Sequence, residues 1–114
     1  MARKLDRSEW RSFLDRISKV LAGKRAEIEI ASLGVGDQVE AAWLPFFGVV
    51  YDPKDDVIEI ALEGLDHLIQ HPQEIWADIG PGEVITSFEI VDTSGARQII
   101  KLRDPLMLPS ASAD

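Results

Sequence analysis

One change of periodicity limits what this chain can fold into more than any motif in it. Through residues 7 to 22 the apolar positions Trp10, Phe13, Leu14, Ile17, Val20 and Leu21 recur at three-and-four spacing, which gathers them on one face of an α-helix. From Ile28 and Ile30, which alternate with Glu27 and Glu29, the spacing becomes two, as a half-buried strand requires. A chain that makes one amphipathic helix and then only strands must lay that helix on a sheet, because neither can bury its apolar side alone.

The helix is bounded at both ends. Asp6 stands where a side chain can cap the Glu9 amide while the Glu9 carboxylate reaches back to the Asp6 amide, and Leu5 and Trp10 occupy the positions of a hydrophobic staple. Gly23 follows the last periodic residue, with Lys19, Lys24 and Arg25 at the negative end of the helix dipole. Further strands are expected near 38–44, 46–51, 57–62, 74–79, 84–91 and 97–103. Asp52-Pro53-Lys54-Asp55 has Pro at the second position of a type I turn, so it reads as a hairpin. Asp92-Thr93-Ser94-Gly95, Gly80-Pro81-Gly82 and Gly34-Val35-Gly36-Asp37 punctuate the other strands.

Short turns force antiparallel pairing, since a parallel pair needs a crossover of about a dozen residues and only 63–73 approaches that length. The expected fold is therefore α+β: one N-terminal amphipathic helix packed on a strongly bent antiparallel sheet of six or seven strands, a small partly open barrel. Residues 1–105 are expected to form a single domain, and 106–114, which carry no period, a disordered tail.

Charge is segregated along the chain. Residues 1–25 hold eight cations against three acids, net +5, whereas the rest holds four against 17, net −13, which gives −8 in all. The balance excludes a whole-surface nucleic-acid binder, and the simplest account of the segregation is a basic helix docked on an acidic sheet. RNA binding on a bent sheet would rest on fold analogy alone, and the acidic body opposes it. With no cysteine there is no disulfide, thiolate metal site or thiol nucleophile, in keeping with a reducing compartment. No run approaches the ~18 apolar residues of a membrane span, and no apolar run follows the charged start, so the expected location is the cytoplasm, with neither membrane nor nucleic acid as partner.

Few residues could carry chemistry. Asp66, His67 and His71 bring both histidines of the chain beside a carboxylate. On a helical turn the imidazoles could share a metal. Pro72 disfavours a helix at His71, however, and in a strand four steps of ~3.3 Å hold the rings about 13 Å apart along the backbone. A loop role is the simpler reading, and no metal or cofactor is expected. Asp52, Asp55, Asp56 and Glu63 fail as a calcium loop because Lys54 and Val57 stand where an oxygen ligand and a glycine are needed. Gly34-Val35-Gly36 lacks the third glycine of a phosphate loop, and Asp37 would repel an anion. Trp43, Phe46 and Phe47 form the aromatic cluster best placed to make an interaction surface, with adjacent Phe46 and Phe47 pointing to opposite faces. Trp76 alternates with Ile75 and Ala77, and Arg97, Lys101 and Arg103 share the wet face of the last strand.

At Gly48-Val49-Val50-Tyr51-Asp52-Pro53-Lys54-Asp55-Asp56, then Ile58-Glu59-Ile60, Asp66-His67-Leu68-Ile69, His71-Pro72 and Ile75, the chain resembles the bacterial family of domains of unknown function 5335 (DUF5335). Trp10 after Ser8-Glu9 is similar to that family's opening, and the resemblance covers roughly 5–105. It implies a bacterial cytosolic protein and supplies no activity or site residue. The function expected from the sequence is a non-enzymatic module that binds a protein partner or a second copy of itself, as a homodimer through an exposed strand edge or the aromatic patch. The alternative is a small-ligand or metal-dependent pocket around Asp66, His67, His71 and Trp76.

Overall fold

The computed structural model describes residues 2–21, 24–32, 36–79 and 84–107. In chain order these form β1 (Ala2–Lys4), a 3-10 turn (Arg7–Glu9) that runs into α1 (Trp10–Leu21), β2 (Arg25–Ser32), β3 (Gly36–Asp52), β4 (Val57–Leu62), β5 (Leu65–Gln70), β6 (Pro72–Ile79), β7 (Val84–Asp92) and β8 (Arg97–Met107). All strand pairs are antiparallel and the order is β1-β6-β7-β8-β2-β3-β4-β5. The expected α+β class is the observed one.

Among the described residues the strand count is eight rather than six or seven, and the sheet ends at β1 and β5 without closing into a barrel. Three differences produce that count. Ala2-Arg3-Lys4 has no apolar alternation and exposes all three side chains, yet its backbone pairs with β6 through Arg3 opposite Ala77. Leu65–Gln70, expected as part of a longer connection, is a strand because Leu62-Glu63-Gly64-Leu65 turns tightly, with Gly64 at φ +77° where a side chain would be strained. The two strands expected at 38–44 and 46–51 are one, β3. Of the tail expected at 106–114, Leu106 and Met107 belong to β8, opposite Ile85 and Val84, and 108–114 lie outside the described residues, as do the turns at Gly34-Val35 and Gly80-Pro81-Gly82 and the Gly23 helix cap.

β3 changes partners at Pro45. Its first half pairs with β2, from Ser32 opposite Gly36 to Arg25 opposite Pro45, and its second half pairs with β4 from Phe46 opposite Leu62. A strand that changes partners exposes one edge of its second half. There α1 takes the place of a neighbouring strand: the Val49 amide donates to Ser18 Oγ and the Ser18 hydroxyl donates to the Val49 carbonyl, both at 2.7 Å. A lone hydroxyl thus satisfies both backbone groups of a buried residue.

The helix is held by its apolar face. Trp10, Phe13, Leu14 and Ile17 are buried in one cluster with Phe46, Ile58, Ile75, Phe88 and Ile100. Trp10 meets Tyr51 of β3 edge-on at 5.4 Å, and Phe13 meets Phe88 of β7 edge-on at 6.0 Å. β7 and β3 are separated in the sheet by β8 and β2, so one helix reaches both only because the sheet bends around it. At the helix start the Glu9 carboxylate accepts the Asp6 amide at 3.0 Å, and the Glu9 amide donates to the Asp6 carbonyl at 2.8 Å. Leu5 and Trp10 are both buried.

Removing the Ser18 hydroxyl strands two buried backbone groups, so Ser18→Ala is expected to lower stability by about 1–3 kcal/mol in urea unfolding. Ser12→Ala, at an exposed position on the same helix, is the control. Equal effects of the two changes would show that α1 does not seal the β3 edge.

Candidate functional site: a polar clasp and an open strand edge

Two features stand out from the core. The first is a clasp of four polar side chains from four parts of the chain. Asp56, in the turn between β3 and β4, accepts from Tyr51 Oη at 3.0 Å and from Arg7 Nη2 at 3.1 Å on one carboxylate oxygen. His71 Nδ1 lies 3.3 Å from the other oxygen. The Arg7 guanidinium also donates to Tyr51 Oη at 3.4 Å and lies over the Trp10 ring, 4.5 Å from its centroid.

The backbone brings Asp56 and His71 together. Both have φ +52°, the left-handed region that costs a non-glycine residue roughly 1–2 kcal/mol, less for Asp. The conformation is held by the His71 amide, which donates to the Asp56 carbonyl at 2.9 Å, and by the Thr93 amide, which donates to the His71 carbonyl at 3.2 Å. Partial burial, the largest single influence on Asp56, favours its neutral form. Hydrogen bonds from Tyr51 and His71 and the charges of Arg7 and His71 together outweigh it and hold the carboxyl below the usual aspartate range. Asp56 thus has its acceptor oxygens occupied by protein donors. The arrangement joins the helix start, the end of β3, the following turn and the β5–β6 connection, and its chemistry is that of a structural tie.

The second feature lies on β3, β4 and β5. Their outward positions include the row Val50–Glu59–Leu68, opposed residue to residue. Val50 and Leu68 are 56% and 52% exposed, and Phe47, the extra residue of a bulge in β3, is 59% exposed. These are the large exposed hydrophobic residues among those described, and all three fall on this part of the sheet. Val50, Val57 and Leu68 line an open groove of about 430 Å³ together with Arg11, Tyr51, Asp52, Pro53 and Glu59. β5 is also the last strand of the sheet.

The residues singled out in the sequence fall in different places. Asp66 and His67 are neighbours on β5 with opposite faces, exposed and half-buried. His71 is turned into the clasp. Trp76 lies on β6, where its indole donates to Glu74 at 2.9 Å, and it lines a depression of about 180 Å³ that contains neither histidine. These four do not converge on one pocket. Among the described residues no three His, Asp or Glu side chains are grouped to hold a metal ion. Phe46 is fully buried, so it cannot belong to a surface: the bulge turns Phe47 outward in its place. The Trp43 backbone lies in β3, and its side chain is outside the described residues.

Asp52 accepts the Lys54 amide at 2.9 Å as a turn residue. Arg97 pairs with Glu89 at 3.2 Å and Lys101 with Glu29 at 3.1 Å, while the Arg103 side chain is outside the described residues. Of the cations in residues 1–25, Arg7 pairs with Asp56 and Lys4 with Glu74 at 3.8 Å in the acidic remainder, whereas Arg3 pairs at 3.5 Å with Glu9 of its own segment. The roles of Arg7, Tyr51, Asp56, Val50 and Leu68 escaped the sequence reading. Leu68 was recoverable, because strict alternation puts it opposite in sense to buried Ile69 once 65–70 is a strand. The clasp was not, since its members are separated by up to 64 positions.

Among the described residues a bent antiparallel sheet packs on one helix and carries an apolar outer row beside its last strand, which defines a small α+β protein. The profile of a "Family of unknown function (DUF5335)" matches residues 1–111, and the chain belongs to that family. It is 40% identical over 106 residues to a protein of Aquifex aeolicus (strain VF5) described as uncharacterized, over 92% of this chain and 95% of that one. No solved structure matches. No helix among the described residues is long and apolar enough to cross a membrane.

The folded pKa of Asp56 lies below its unfolded value of about 3.9, so its contribution to stability is present above that value and is lost as pH falls through the folded one. Asp56→Asn keeps a side chain that tolerates positive φ and removes the charge. It is expected to cost about 1 kcal/mol at pH 7, with the gap to wild type narrowing below about pH 4 in parallel urea titrations. A gap that does not change with pH would mean that the carboxylate charge does not hold the clasp.

Proposed function

We propose that this chain is a non-enzymatic self-association module of the cytoplasm, and that a second copy binds at the outer face and free edge of β3, β4 and β5. The observation that carries this reading is Leu68, where a large exposed apolar side chain coincides with a strand edge that is unpaired among the described residues. Support also comes from the placement of Val50 and Phe47 on the same part of the sheet while the β1 end carries Arg3 and Lys4. The absence of cysteine is in keeping with a reducing compartment.

Sedimentation velocity over a range of concentrations tests the proposal. The expected result is a species of twice the 12.7 kDa chain mass that dissociates on dilution. Leu68→Lys should weaken it about ten-fold or more by placing charge on the shared face, a loss of ~1.4 kcal/mol. Thr86→Lys, on an exposed position of β7, should leave it unchanged. A monomer at every concentration, or indifference to Leu68→Lys, would refute the reading.

A further inference from the structure

We infer that two copies join β5 to β5 in antiparallel register about a two-fold axis at Leu68, a detail of the partner that rests on the self-association reading above. The hydrogen-bond pattern leads to it. Because both backbone groups of Val49 are taken by Ser18, they face away from β4, and Val49 opposite Ile60 is a pair without mutual hydrogen bonds. Pair type alternates along an antiparallel ladder and each residue's N–H and C=O point the same way. Ile60 therefore faces β5, and His67, opposite it, faces β4. It follows that the N–H and C=O groups of Asp66, Leu68 and Gln70 all point to the free edge.

The same three residues carry the exposed side chains of β5. A pairing partner must therefore match the edge at these positions and present its own outward residues on the same face. A second β5 does both. With the axis at Leu68, Leu68 lies opposite the partner's Leu68, Asp66 opposite the partner's Gln70, and Gln70 opposite the partner's Asp66. Each of these pairs exchanges two backbone hydrogen bonds, about six in all. Centring on Asp66 would oppose two carboxylates. Centring on His67 would leave Gln70 opposite the partner's Gly64, in the turn beyond the strand.

At the Leu68 register the two exposed leucines cover each other, and each carboxylate faces an amide that can donate to it. The row Val50–Glu59–Leu68 then continues into its copy, and two sheets become one. A two-fold contact of this kind closes after two chains, whereas pairing β5 with the short β1 of another copy would run head to tail without closing.

The chain has no cysteine, so introduced thiols report the register without background. Full-length Leu68→Cys, Asp66→Cys and Gln70→Cys proteins are oxidised mildly, alone and as an Asp66→Cys with Gln70→Cys mixture, at a concentration where the wild type sediments as a dimer. All three positions are exposed, and thermal unfolding of each reduced variant confirms its fold. Covalent dimer is expected from Leu68→Cys alone and from the mixture. Asp66→Cys alone should be at least ten-fold slower, because its two copies sit about 13 Å apart along the strands, beyond the Cα separation of about 7 Å that a disulfide spans.

Equal cross-linking of Asp66→Cys alone would overturn the register, as would a wild-type dimer in which neither Leu68→Cys nor the mixture cross-links; self-association would survive both. A wild type that sediments as a monomer refutes self-association and the register together, and one that grows past the dimer refutes the closed two-fold.

Discussion

Everything in this architecture depends on how the edge of β3 is satisfied. A strand of 17 residues that changes neighbours part-way leaves unpaired backbone beside the core, and buried peptide groups without partners cost free energy comparable to a lost hydrogen bond. Pro45 sits where the partner changes, and the hydroxyl of Ser18 meets both groups of Val49 just beyond it. α1 is thus more than an apolar cover. It acts as a substitute strand at one point, and its position along β3 is set by that bond while its rotation is set by Trp10, Phe13, Leu14 and Ile17.

From that anchor the remaining geometry follows. A helix fixed on the second half of β3, yet packed through Phe13 on Phe88 of β7, requires a sheet that bends across β2 and β8. Bending brings the turn after β3 and the connection after β5 toward the helix start, where Arg7, Tyr51, Asp56 and His71 close the clasp. Two non-glycine residues at positive φ are retained there because the bonds between them offset part of the strain. The clasp ties the turn after β3 and the connection after β5 to the helix start through Arg7, Asp56 and His71.

The sequence displayed what is local. The Asp6–Glu9 start, the apolar face of α1, and the hairpins at Asp52-Pro53-Lys54 and at Asp92-Thr93-Ser94-Gly95 each depend on residues a few positions apart, and each appears where the spacing put it. In the second hairpin Asp92 Oδ1 accepts the amides of Ser94 and Ala96 at 2.9 and 3.1 Å. What depends on distant partners was hidden. β1 pairs through its backbone alone, β5 places His67 between Leu65 and Ile69 on its inward side and so breaks the apolar alternation, and Pro45 reads as a break between two strands because its missing N–H matters only relative to which neighbour lies on that side. The His67–His71 pair drew attention as chemistry, but strand geometry separates the two and assigns His71 to a tie with Asp56.

Two edges near β3 therefore contrast: one is sealed within the chain by Ser18, and the other, at β5, ends the sheet among the described residues and is where a second copy is proposed to bind. Amide hydrogen exchange followed by NMR at two protein concentrations tests this contrast directly. The Val49 amide should be protected equally in dilute and concentrated samples, whereas the amides of Asp66, Leu68 and Gln70 should exchange rapidly when dilute and slow as concentration rises. Protection of those three amides that is the same at both concentrations, whether high or absent, would contradict the account.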